Sequence, residues 1–542
     1  MSIGHWRINL ILAIVFLFGI GLLGRLFFIQ VLQGDFYKAL SQGLHNLGEE
    51  AIEERGEIFF KNGEPLAVNI DWPLVFSSSE KVENKVETAE KLAEILDLEQ
   101  GFILEKLEKD SLYSVIKKKL TVKEVESLKE LNLAGIHLDK ESGRYYPQEA
   151  MASQLIGFLD ADQKGQYGLE GYYEEILQGE RKSPGSDLFL TVDYSIQFTA
   201  EKLLEGLKES LDIEGGEIIV IEPNSGKILA LANFPNFNPN QYSEVEDFDV
   251  FQNSPSQKIF EPGSVFKAIT MAGALNEEAI TPQSTYFDQG CLKISGYNIC
   301  NYEERTYPGE LTMTNVLEKS INTGAVFAEK ELGHNLFLKY IGNFGIFEPT
   351  GIDIQEISPE NRELKQGREI NFATASFGQG IEMTPLQLIR AYSAIANGGK
   401  LIKPYLVEKI VKKEESLEIQ PELEKESVIS SKTASQLTAM LVNVVENGFA
   451  KSAQIPGYYV AGKTGTAQIS FAALNIDKEG YSDKTWQTFI GFAPAFNPQF
   501  LILVKLDNPK TRTAEYSAVP VFYNLAKYII DYYQTPPDYE PN

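Results

Sequence analysis

Glu261-Pro262-Gly263-Ser264-Val265-Phe266-Lys267, continuing into the apolar run from Ala268 to Leu275, is the stretch on which the reading of this chain turns. A proline and a glycine ahead of a long apolar segment predict a buried helix that begins near Ser264. Helical residues three apart share a face, so the Lys267 amine can approach the Ser264 hydroxyl. The helix N-terminus adds a partial positive charge that favours a developing oxyanion. A serine nucleophile needs a base. The four histidines, His5, His45, His137 and His334, lie near none of the motifs, so the base is expected to be another residue.

By itself S-x-x-K is short enough to arise by chance, commonly as a capping serine beside an exposed lysine. Two further motifs change the reading. Ser320-Ile321-Asn322 offers a second hydroxyl and an amide just ahead of Thr323-Gly324, and Lys463-Thr464-Gly465-Thr466 lies between a strand-like apolar stretch and a polar loop. Their order and separations match one active-site plan.

With these three motifs the sequence resembles the penicillin-binding proteins and serine β-lactamases. The likeness extends to both sides of them. Arg55-Gly56-Glu57-Ile58 with Asn62-Gly63-Glu64-Pro65-Leu66-Ala67, and Arg144-Tyr145-Tyr146-Pro147, look like the pedestal motifs of class B penicillin-binding proteins. Gly165 to Gly171 and Thr374 to Leu388 continue the match, which covers nearly the whole chain beyond the N-terminal apolar segment. The resemblance implies an α+β fold: a transpeptidase domain with an antiparallel sheet and a helical lobe, an N-terminal α+β pedestal and one transmembrane helix.

It also implies acyl transfer on a peptidoglycan stem ending in D-Ala-D-Ala. Ser264 attacks the penultimate carbonyl, D-alanine leaves, and an amine of a neighbouring stem resolves the acyl-enzyme into a cross-link. By the same resemblance Lys267 is the base, Ser320 relays a proton to the leaving amine, and Asn322 positions Lys267 and the substrate amide. Lys463, Thr464, Gly465 and Thr466 form the carboxylate-binding strand, and the backbone N–H groups of Ser264 and Thr466 form the oxyanion hole. A basic Lys267 must spend time neutral, which burial and the neighbouring Lys463 both favour. Expected partners are peptidoglycan stem peptides, β-lactams as covalent inhibitors, a membrane glycosyltransferase and division-complex proteins. No cofactor and no metal are expected.

The totals agree. A chain of 542 residues has room for two or three domains. Its 76 acidic against 49 basic residues give a net charge of -27, which repels a nucleic-acid backbone. Two cysteines and four scattered histidines lack zinc-ligand spacing.

Ile8 to Gly24 is almost wholly apolar and the apolar character resumes from Leu26 to Ile29, long enough to span a bilayer. A cleaved signal peptide is the competing reading, but Arg25-Leu26-Phe27-Phe28 stands where small residues belong. Arg7 ahead of the span predicts a cytoplasmic tail at 1–7, an anchor at 8–30 and the bulk of the chain outside, and the resemblance implies that the membrane is the bacterial inner membrane. The expected pedestal covers 31–185, the transpeptidase domain 186–535 and a polar tail 536–542. Residues 412–430, charged and poor in apolar groups, predict an exposed connection.

Gly457 to Thr464 matches the P-loop pattern, but its inner residues are β-prone and no helix is expected to follow. Within the resemblance, the pedestal argues against a β-lactamase or carboxypeptidase, a single span against a multi-span β-lactam sensor, and three intact motifs against an idle scaffold. Ser376-Phe377-Gly378-Gln379-Gly380-Ile381 looks more like the division branch of class B than the elongation branch. Cys291 and Cys300 flank a hairpin-like segment: a structural disulfide is one reading, and two buried thiols acting as small apolar groups the other.

Overall fold

The computed structural model of the chain describes residues 4–28, 30, 54–179, 184–413 and 415–540. The start of the expected cytoplasmic tail at 1–3, the expected pedestal at 31–53 and 180–183, and the end of the polar tail at 541–542 lie outside these residues.

Gly4–Phe27 forms one helix of 24 residues. At 1.5 Å per residue it is about 36 Å long, enough for a hydrocarbon layer of about 30 Å. From Asn9 to Phe27 its apolar side chains are not packed into any protein core. One N-terminal helix is thus long and apolar enough to serve as a single-pass anchor.

The chain divides into two compact units, one built on Asn69–Tyr145 and a larger one on Gly56–Val68, Tyr146–Gly179 and Gly185 onward. In the smaller unit Lys85–Leu96, Gln100–Glu108 and Val122–Leu131 are helices, and Val75–Ser77 pairs with Ser114–Lys117. Leu92, Leu96, Ile103, Leu107 and Ile116 form its core, while the charged faces stay in solvent. The Asn84 side chain caps the first helix, and Thr121 with Glu124 makes a capping box on the third.

The larger unit is organised by a five-stranded antiparallel sheet of β1 (Gly215–Ile221), β2 (Ile228–Phe234), β3 (Ala461–Ser470), β4 (Tyr481–Ala493) and β5 (Phe500–Asp507). The strand order is β3-β4-β5-β1-β2. The sheet therefore takes strands from both ends of the domain and leaves β3 at an edge. Every residue of β1 is buried, which explains its unbroken apolar run. The helices Tyr194–Leu211 and Ala518–Tyr533 pack on the sheet and on each other, and between β2 and β3 the chain is mainly helical. All these apolar surfaces join one continuous core.

At 412–430 the exposure is as expected but the connection is more ordered. Glu415–Glu418 pairs with Lys409–Lys412, and Leu423–Lys425 with Leu401–Ile402. Backbone pairing asks nothing of the side chains, so a charged composition signals exposure and is silent about strands.

Candidate active site

The nucleophile segment starts with a 3-10 turn over Gly263–Phe266, and the buried α-helix follows at Lys267–Asn276, three residues later than the sequence predicts. Gly263 has φ +61°, and its N–H donates to the Gly378 carbonyl at 2.9 Å, which tightens the entry. The tightening matters because residues three apart eclipse in a 3-10 turn. It sets Lys267 Nζ 3.0 Å from Ser264 Oγ.

Lys267 is fully buried among polar groups. Its Nζ lies 2.6 Å from the Ser320 carbonyl oxygen, 2.8 Å from Asn322 Oδ1 and 3.3 Å from Ser320 Oγ. Asn322 Nδ2 donates to the Cys300 carbonyl at 2.9 Å, and since that carbonyl can only accept, the amide is fixed with its oxygen toward Lys267. A neutral amine has two N–H bonds and one lone pair. With the N–H groups given to the Ser320 and Asn322 oxygens, the lone pair is left for the Ser264 hydroxyl proton, so the arrangement can deprotonate the serine.

The electrostatics point the same way. Burial, and then the charge of Lys463, hold the Lys267 amine well below the ordinary lysine range. Burial alone brings Lys463 down to about 7. Lys463 Nζ lies 3.0 Å from Ser320 Oγ, so this hydroxyl bridges the two amines. Ser320 sits at φ +53°, a left-handed conformation rare for a side-chain-bearing residue and common at functional sites.

Lys463, Thr464, Gly465 and Thr466 lie on β3, the open edge. A Cβ on Gly465 would stand 2.8 Å from the Pro262 carbonyl oxygen, so this glycine lets the strand press against the nucleophile turn. Thr466 Oγ1 accepts the Ala514 N–H at 3.2 Å, leaving its own proton free to donate into the cleft. The cleft is about 900 Å³ and is lined by Ser264, Ser320, Asn322, Thr464 and Thr466 among others. β3 runs on to Ser470 and turns into β4 without opening a helix, which removes the P-loop reading.

Two supports, Tyr392 and Thr270, had no local sequence signal, and a third, Gly378, lies in the Ser376 to Ile381 stretch quoted above. Buried Tyr392 donates its hydroxyl to the Val265 carbonyl at 2.5 Å, and Thr270 donates to the Ser376 carbonyl at 2.7 Å. Gly378, at φ +84°, passes so near the nucleophile turn that a Cβ there would fall on the Gly263 carbonyl oxygen. Gly378→Ala is therefore expected to destabilise the protein by about 2–4 kcal/mol, from overpacking plus the positive φ. Thermal unfolding and the rate of penicillin labelling check this, and unchanged values for both would refute the close approach.

Cys291 and Cys300 face each other directly in a hairpin and form a disulfide, with Cα atoms 4.0 Å apart. The Cys300 carbonyl that holds Asn322 belongs to this hairpin.

The comparisons with known proteins agree with this geometry. The penicillin binding protein transpeptidase domain matches residues 216–527, and the penicillin-binding protein dimerisation domain matches residues 52–184. Stage V sporulation protein D of Bacillus subtilis is 31% identical over 518 residues, covering 90% of this chain and 79% of the relative. A peptidoglycan D,D-transpeptidase FtsI homolog of Mesostigma viride is 29% identical, covering 98% of this chain and 97% of the relative. The crystal structure of penicillin-binding protein 3 from Mycobacterium tuberculosis, complexed with aztreonam, superposes with a TM-score of 0.71 at 25% identity, covering 90% of this chain and 98% of that one. The chain belongs to the class B penicillin-binding proteins, with the transpeptidase and dimerisation domains of that family.

Proposed function

We propose that this peptidoglycan D,D-transpeptidase works through a Ser264 acyl-enzyme, anchored by its N-terminal helix in the inner membrane with the catalytic domain outside the cytoplasm. The observation that carries the reading is the Lys267 amine, 3.0 Å from Ser264 Oγ with both its N–H groups committed elsewhere. The Ser264 proton passes to Lys267 Nζ as Oγ bonds to the penultimate D-alanine carbonyl. Collapse of the tetrahedral adduct breaks the peptide bond, and the proton reaches the departing D-alanine amine through Ser320 Oγ. An acceptor amine on a second stem then displaces Oγ and restores its proton. Lys463, Thr464 and Thr466 hold the terminal carboxylate, with Gly465 as the spacer between strand and nucleophile. The expected boundaries, a pedestal at 31–185 and a catalytic domain at 186–535, belong to this reading, as does the binding of β-lactams as covalent inhibitors.

The active form needs Lys267 neutral and Lys463 charged. The rate constant for acylation by benzylpenicillin should rise as Lys267 sheds its proton, then fall near pH 7 as Lys463 loses its own. The two limbs belong to the pair rather than to either lysine. Lys463→Arg keeps its charge and should shift the alkaline limb upward. A wild-type profile that climbs steadily through pH 9 would refute the charged role of Lys463.

The role proposed in the cell is septal synthesis. It rests on Ser376 to Ile381 and on relatives named as FtsI homologs. The disulfide fits an oxidising, extracytoplasmic compartment. A fluorescent fusion should concentrate at midcell, and a uniform side-wall signal would assign the elongation branch instead. Contacts with a membrane glycosyltransferase and division-complex proteins follow from the same proposal and are tested by co-purification with the fusion.

A further inference from the structure

The cations around the cleft are mostly engaged. Arg305 pairs with Glu303, and the Lys319 amine lies 5.6 Å from the centre of the Tyr307 ring. Lys510, at the base of the loop that forms one wall, pairs with Asp212 at 2.7 Å. Arg512, exposed on that loop and lining the cleft, has neither a carboxylate nor an aromatic ring as partner among the described residues. In a chain with 76 acidic residues against 49 basic ones, an arginine left without an acid stands out.

The loop that carries it is firmly held. Fully buried Gln487 on β4 accepts from Thr511 Oγ1 at 2.9 Å and from Ser517 Oγ at 2.5 Å, and donates to the Thr511 carbonyl at 2.8 Å. The Ala514 N–H is tied to Thr466 Oγ1 at 3.2 Å, so both sides of Arg512 are pinned beside the candidate carboxylate-binding strand. The adjoining Thr513 hydroxyl is buried without a hydrogen-bond partner among the described residues.

On the reading proposed above, which this inference rests on, the terminal carboxylate of the stem sits at Lys463 to Thr466. The remainder of the stem must then leave along the same open edge. That edge continues to Gln468, paired across β4 with Thr485, and both residues line the cleft together with Asp483 and Arg512. Hence a stem running along the edge passes Arg512.

We propose that Arg512 is a specificity-determining residue that binds a carboxylate carried by the stem residues preceding D-Ala-D-Ala. A guanidinium suits a carboxylate because its fork can donate two parallel hydrogen bonds. Asp483 lines the same end without a partner among the described residues, so the subsite is not a general anion trap. It favours a residue bearing both an ammonium and a carboxylate, such as a diaminodicarboxylic acid, over lysine. The carboxylate has two chemical sources, the side chain of such a third residue and the free α-carboxyl of a γ-linked second residue.

The test uses the full-length protein in detergent and synthetic stem analogues with a thioester at the scissile bond, read by thiol release. One pair of analogues differs by carboxylate or carboxamide on the third residue, and a second pair by the same change on the second residue. Wild type should prefer one free carboxylate over its carboxamide by about tenfold in kcat/KM, the scale of one charge-assisted hydrogen bond. Arg512→Gln should bring that preference to within about twofold, and the pair that responds identifies the source. A wild type indifferent to both changes, or a preference that survives Arg512→Gln, overturns the proposal. Benzylpenicillin labelling of the wild type runs alongside. Its absence overturns the Ser264 reading itself, whereas labelling without any Arg512 effect overturns this inference alone.

Discussion

Ser264→Ala should eliminate covalent labelling by penicillin and lower turnover of a stem analogue by about 10⁴-fold or more, the scale on which removing a serine nucleophile acts in other acyl-transfer enzymes. Two other motif hydroxyls are already held in other contacts. Ser320 Oγ is engaged between the two lysines, and Thr466 Oγ1 accepts a backbone N–H. The fold should barely register the change. Among the described residues Ser264 Oγ has one hydrogen-bond partner, Lys267 Nζ, so the cost is of the order of 1 kcal/mol. Mass spectrometry of penicillin-treated protein and a thermal unfolding curve measure the two halves. Labelling at the wild-type rate would end the serine mechanism.

Lys267→Arg should be nearly as damaging, with acylation reduced by about 10³- to 10⁴-fold, the loss of a general base with nothing to replace it. A guanidinium does not deprotonate, so burial that makes the lysine a base leaves the arginine a trapped cation beside Lys463. That charge also threatens folding, and Lys267→Met serves as its partner variant. Methionine removes the charge at similar volume, although it leaves the Ser320 carbonyl and Asn322 Oδ1 without the lysine donor. Both variants are expected inactive while the methionine form unfolds at the higher temperature. A folded methionine variant that acylates normally would show that Lys267 is not the base.

How far the sequence reveals this molecule depends on which physics shaped each part. The strand cores at 217–221, 228–231, 486–493 and 500–506 are legible because burial on both sides forces mainly apolar runs. The three motifs are legible because reactive chemistry constrains residue type at short range. The α-helix begins three residues beyond the start that the sequence predicts near Ser264, since the 3-10 turn before it leans on Gly378, more than a hundred residues away. Distance in the chain also hides Tyr392 under the nucleophile turn and Gln487 behind the Arg512 loop. The grouping of Gly56–Val68 and Tyr146–Gly179 with the larger unit is invisible to any scheme that cuts the chain into consecutive pieces. For Cys291 and Cys300 the residues alone left two readings open, and the register of the hairpin decides between them.

Gly263, Gly378 and Gly465 together make the throat of this enzyme hard to alter. A methyl group on Gly465 would crowd the Pro262 carbonyl, on Gly378 it would collide with Gly263, and on Gly263 it would stand 3.1 Å from Ala467 Cβ at a positive φ. If a covalent drug attacks Ser264 as proposed, these three positions leave little room for mutational escape at the turn that carries it. On the proposed reading the open routes lie along the rim of the cleft, which Gln468, Thr485 and Arg512 line. With Arg512 in the role proposed for it, a lineage under such selection would trade away discrimination among its own substrates before it touched the nucleophile turn.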